Sequence, residues 1–220
     1  MKRTAQNKRQ AGFSTLEMLI VVAMSIVLTA IAIPSYNTIS KSLRVAGDLR
    51  ALNGLLAQAK MRAAADFTHA RVYADLNGNA YQLQVWYKTG NGGNGCWVAD
   101  ADASKTCLTY SSGHPSGSVF DLAQGDTFGF GNLGAGPTPG QPQPKQAAAC
   151  LNNANSTLGS STACVVFNSR GIPIDSTGAP LATGAFYLTN ATVVDSVTVS
   201  ATGSIQAWSS SATSANWLAQ

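Results

Sequence analysis

The sequence predicts an α+β protein: a long N-terminal helix, apolar in its first half and amphipathic in its second, packed on a mainly antiparallel β-sheet head. Three observations carry this. From Phe13 to Ile33 run 21 residues with a single charge, Glu17, and no glycine or proline before Pro34. Beyond Pro34 the apolar positions Val45, Leu49, Leu52, Leu56, Ala59 and Ala63 step by four and three, the spacing of one helix face. From about residue 70 the period changes to two, and Gly, Ser, Thr, Asn and Ala dominate, the composition of a loop-rich β domain.

As a helix rising about 1.5 Å per residue, the apolar run is roughly 30 Å long, the thickness of a bilayer core. The net charge of +4 is accounted for by Lys2, Arg3, Lys8 and Arg9, which precede the run with no acid among them; the remainder is neutral. Basic residues beside a membrane helix stay cytoplasmic, which puts everything after the helix outside. From Val72 onward four basic residues oppose seven aspartates, so the head is acidic at −3. The basicity is therefore a topology signal and does not point to nucleic acid. A carboxylate at bilayer depth costs about 2.5–3.5 kcal/mol on insertion scales, so Glu17 requires a functional reason.

Residues 1–12 read as a short, polar, basic leader ending in Gly12. A secretory signal would be cut after its apolar segment, and Ile31-Ala32-Ile33-Pro34 is a poor cleavage site. On hydropathy alone, a cleaved leader and an uncleaved signal anchor both stand. The helix is expected to resume after Pro34, with Lys41, Arg44, Asp48, Gln58 and Arg62 largely off the apolar stripe. Gly47 and Gly54 each weaken it by about 1 kcal/mol relative to alanine. Three alanine-rich heptads are short for a coiled coil, so the stripe is expected to lie under a sheet. The chain thus divides into residues 1–12, 13–35, 36–66 and 67–220.

In the head, Arg71–Ala74 and Tyr81–Tyr87 alternate as strands around Asn77-Gly78, a hairpin signal. A glycine-rich stretch, 89–95, leads into Cys96-Trp97-Val98. Short strands are expected at Ser118–Leu122 and Thr127–Phe130, and the proline-rich stretch Gly134–Pro144 as a loop outside any sheet interior. Strands follow at Ala163–Phe167, Ala185–Leu188, Ser196–Ser200 and Ser204–Trp208, with a polar tail at Ser209–Gln220. Cys96, Cys107, Cys150 and Cys164 all lie on the outer side, where an even count favours disulfides. Pairing Cys96–Cys107 and Cys150–Cys164 closes the shortest loops, but three connectivities remain open. Zinc is the rival, weakened by the lack of any Cys-x-x-Cys and of ligand spacing at His69 and His114.

No catalytic constellation has supporting context. The glycine runs lack a P-loop lysine or a dinucleotide-binding frame, and Asp100 and Asp102 fit a solvated loop better than a calcium site. Neither an enzyme nor a cofactor is expected. Trp97 and Trp217 are candidates for exposed adhesive anchors, while Trp86 and Trp208 read as core residues within strands.

Gly12-Phe13-Ser14-Thr15-Leu16-Glu17 followed by an unbroken apolar run resembles the class III leader of type IV pilins and type II secretion pseudopilins. That resemblance implies a pilin-like fold, cleavage by prepilin peptidase between Gly12 and Phe13, and N-methylation of Phe13. It also implies an assembly role for Glu17, paired with a neighbour's terminal amine, and a helix kink at Pro34. The strand ending in Phe167-x-x-x-Gly171, then a strand pair joined at Gly203, resembles the general secretion pathway protein H and FimT-like subgroup, over residues 12–88 and 163–208. The segment 89–162 reads as an insertion. The implied partners are other pilins or pseudopilins, the prepilin peptidase, the inner-membrane assembly platform and the membrane. The implied location is the bacterial inner membrane, with a cytoplasmic N-terminus and a periplasmic head, then a filament. Some FimT-like relatives bind DNA through a C-terminal Gly-Arg-x-Arg. Here the turn reads Gly203-Ser204-Ile205-Gln206, and without those arginines an acidic head is expected to bind nucleic acid poorly. Pilus and secretion machine are not separated by these features.

Overall fold

A computed structural model describes residues 14–111, 114–117, 119–138 and 140–220. The chain is α+β. One helix, α1 (Thr15–Ala65), precedes thirteen strands: β1 (Ala70–Asp75), β2 (Ala80–Tyr87), β3 (Cys96–Ala99), β4 (Tyr110–Ser111), β5 (His114–Pro115), β6 (Phe120–Asp121), β7 (Thr127–Phe128), β8 (Thr162–Phe167), β9 (Pro173–Ile174), β10 (Thr183–Thr189), β11 (Val193–Ser200), β12 (Ile205–Ser211) and β13 (Ser214–Ala219). Two compact units divide between Ser40 and Lys41, within α1.

In the second unit every paired strand is antiparallel. One sheet runs β3-β2-β1-β8-β9, with β6 also on β2; a second runs β13-β12-β11-β10-β7. The six stripe residues of α1, Val45 to Ala63, all have no exposed surface. They form one core with Val72, Leu83, Val85, Val165 and Phe167 of the first sheet and Phe186, Leu188, Val197 and Val199 of the second. The helix propensity lost at Gly47 and Gly54 is therefore offset by burial of a continuous apolar face.

The β1–β2 hairpin forms where Asn77-Gly78 predicts it, but its link is four residues long. Asp75 Oδ1 accepts the N–H groups of Asn77 and Gly78, and the left-handed residue is Asn79 at φ 52°. All six residues of β1 are buried, in place of the one-sided burial that alternation suggests. The reason is residues 89–162, which lay Trp97, Leu108, Tyr110, Cys150 and Leu158 over the face turned away from the helix. The segment read as an insertion is a second cover for the sheet.

Two further expectations are corrected. Ser209–Gln220 is not a tail: it extends β12 and supplies β13, a fifth strand for the second sheet. Its alternation is hidden because Ser, Ala and Asn occupy both faces. The cysteines pair locally, Cys96–Cys107 and Cys150–Cys164, bracing the start of the insertion and fastening its end to β8.

Candidate functional site

Residues 15–40 of α1 form the first candidate. Leu16, Leu19, Ile26, Leu28 and Ile31 are each more than three-fifths exposed, and the apolar window buries none of its surface. The run is long and apolar enough to cross a membrane. Its hydroxyls turn back on the helix: Ser25 Oγ donates to the Val21 carbonyl at 2.8 Å, Ser35 Oγ to that of Ile31 at 3.2 Å, and Thr29 Oγ1 to that of Ser25. This is how an apolar helix satisfies hydroxyls without water.

Glu17 has no such outlet. It lies exposed in the first turn, where the helix dipole favours an acid. Ser14 begins the helix, its Oγ accepting the Leu16 N–H at 3.3 Å and its carbonyl the Met18 N–H at 3.1 Å. Ser14 and Glu17 have capping-box spacing, yet no hydrogen bond or ion pair from the Glu17 carboxylate is made among the described residues. Helix capping does not account for it. Gly12 and Phe13, the expected cleavage and methylation positions, lie outside the described residues. At Pro34 the backbone stays helical on both sides, so the proline does not break α1.

A second convergence involves Lys60. Its Nζ donates to the Gly203 carbonyl at 2.9 Å. Gly171 and Gly203 both sit at positive φ, 72° and 77°. A Cβ at Gly171 would lie 3.0 Å from the Lys60 side chain, and one at Gly203 only 2.5 Å from the Gly171 carbonyl oxygen. The glycine after β8 and the glycine joining β11 to β12 thus pack on one another above a helix lysine.

Beneath the insertion lies a buried arginine that the sequence reading left as a surface strand residue. Arg71 is 1% exposed. Its Nε donates to Gln84 Oε1 at 2.8 Å, Nη1 to the Leu151 carbonyl at 2.6 Å and Nη2 to Tyr110 Oη at 2.6 Å, and its guanidinium lies 3.9 Å from the Trp97 ring centroid. Burial lowers its pKa to about 10, which still leaves it charged at neutral pH. The polar set Arg71, Gln82 and Gln84, on one face of the hairpin, was the available signal.

A third cluster holds the link between β6 and β7. Asp48 Oδ2 accepts the Ala123 N–H at 2.8 Å, and Arg44 donates to the Gln124 carbonyl at 3.3 Å. Asp126 is 5% exposed, and its Oδ2 has no hydrogen-bond partner. Burial first, then the neighbouring Asp48, pushes its carboxyl up to about 6, with Arg44 opposing. The proton it gains is the one able to bridge to Asp48.

The remaining candidates are structural. Trp97 is 6% exposed, stacked against Arg71 and edge-on to Trp86. Trp217 is half-buried, edge-on to Tyr187, with Nε1 donating to the Ala135 carbonyl. Neither is a free anchor. Asp100 pairs with Arg62, and Asp102 accepts from Ser104 and Thr106 within its own loop. Among the described residues no group of three or more His, Cys, Asp or Glu is placed to hold a metal. Comparison with family models, with characterised proteins and with solved structures finds no match.

Proposed function

We propose that this chain is a minor pilin or pseudopilin: a structural subunit of a type IV pilus-like filament or of its initiating tip complex, assembled through its N-terminal helix. The observation that carries the reading is Glu17, a carboxylate in an exposed apolar helix whose hydroxyls are satisfied internally while Glu17 is not. In a low-dielectric bundle, the new amino terminus of a neighbouring helix and this carboxylate each relieve the other's desolvation cost. Assembly is favoured because it neutralises a charge that the isolated subunit leaves unmatched.

On this reading prepilin peptidase cuts between Gly12 and Phe13 and methylates Phe13. The basic leader stays cytoplasmic, and the disulfide-braced head faces the periplasm. The helix is drawn from the inner membrane by the assembly platform. A second reading, a protein H-like pseudopilin of the type II secretion machine, draws support from the packing of Gly171 on Gly203, the two positions that carry the subgroup resemblance. Loss of twitching in a deletion strain supports the pilus, and loss of exoprotein release supports secretion.

The test is Glu17→Ala. The variant is expected to remain in the membrane at normal abundance while its recovery in sheared or overexpressed filaments falls at least tenfold. Normal incorporation would overturn the assembly role.

A further inference from the structure

The ends of the two main sheets are treated unequally. At β3, the Trp97 N–H donates to Asn153 Oδ1 at 2.9 Å and the Trp97 carbonyl accepts the Leu108 N–H at 2.8 Å. At β9, the chain folds back, the Leu181 N–H donating to the Pro173 carbonyl and Ile174 bridging Pro180. At β7, the Phe128 N–H donates to Asn79 Oδ1 at 3.1 Å. Three of the four terminal strands therefore have their outward backbone groups occupied, by side chains or by a returning segment.

β13 is the exception. Its pairing is with β12 alone, and among the described residues no hydrogen bond reaches its outward backbone groups. A six-residue edge normally carries a lysine, a proline or an inward charge against strand addition. Ser214-Ala215-Asn216-Trp217-Leu218-Ala219 has none, and Leu218 is 71% exposed.

Charge selects the occupant. From Ser196 to Gln220 there is no charged residue, whereas the head from Val72 onward is net −3. Two copies approaching elsewhere bring like charges together; along β13 they do not. The outward row of N–H and C=O groups is self-complementary in the antiparallel sense, and a two-fold contact places the same uncharged side chains on both strands.

We propose that β13 is a homotypic docking edge, pairing antiparallel with β13 of a second copy to join the two second sheets into one. This contact is independent of the apolar helix half, and its failure is distinguishable from failure of the assembly reading.

The test uses the full chain in detergent, with detergent-corrected light scattering and amide hydrogen exchange. The expected result is a dimer whose 214–219 amides exchange at least tenfold more slowly at high than at low protein concentration. Glu17→Ala is expected to keep that dimer, which separates edge pairing from helix association. Leu218→Lys, and independently Asn216→Lys should the first misfold, are expected to be monomeric with unchanged thermal midpoints. A monomeric wild type, a dimer with no protection at 214–219, or a dimer that survives the folded lysine variants would each overturn the proposal.

Discussion

Glu17, Arg71 and Asp126 are three ionisable residues in places where a charge is costly, and each is handled differently. Glu17 is left for another chain, as argued above. Arg71 is satisfied inside the fold by three hydrogen bonds and the Trp97 ring, and it ties the insertion residues Tyr110 and Leu151 to β1. Arg71→Met removes the donors while keeping the bulk. At about 1 kcal/mol or more for each buried acceptor left short, a loss of about 2–4 kcal/mol in chemical denaturation is expected. Arg71→Lys is expected to recover only part of it, because one ammonium does not reproduce a planar fork. Asp126 is left partly unsatisfied. Its carboxyl is raised from about 3.9 in the unfolded chain to about 6 in the fold, so the folded state binds the proton more tightly. That contribution is fully present below about pH 4 and is lost as the pH rises through about 6. Thermal scans should therefore show a stabilising increment on acidification from about pH 7.5 to about pH 5.5, flattened in Asp126→Asn.

Among the elements, the amphipathic half of α1 was the most legible: six residues picked by spacing alone are the six that lose all exposure. Strands with branched or aromatic residues, such as β8 and β11, were legible for the same reason. β13 was not, because its Ser, Ala and Asn residues give no alternation of polarity. The two-sided burial of β1 was also hidden, since the cover arrives from residues about 40 to 80 positions away. The glycines at 171 and 203 were visible as turns, but not as partners. The close approach predicts that Gly203→Ala costs about 1–3 kcal/mol more than Gly178→Ala, measured by denaturation of the two variants. Both sites have similar positive φ, 77° and 84°, but a Cβ at Gly178 meets nothing within 4 Å. Equal costs would show that the packing over Lys60 is slack.

At the scale of the whole molecule, charge divides the chain into three parts. The first twelve residues are purely basic, the apolar run carries one acid, and the head is net acidic with a charge-free stretch at its end. The organisation into helix and antiparallel head could be read directly, because hydropathy and period change sharply at Pro34 and near residue 70. The candidate site was legible only at the helix start, where Gly12-Phe13 and Glu17 stand close in sequence. The Arg71 and Asp126 clusters, assembled from distant segments, were not. The most direct measurement of the filament-subunit reading is intact mass and terminal sequencing of the protein from its native membrane. The predicted result is a mature chain that begins at Phe13 and carries one added methyl group on its amino terminus. A chain that begins at Met1, or one cut after the apolar run, would contradict it.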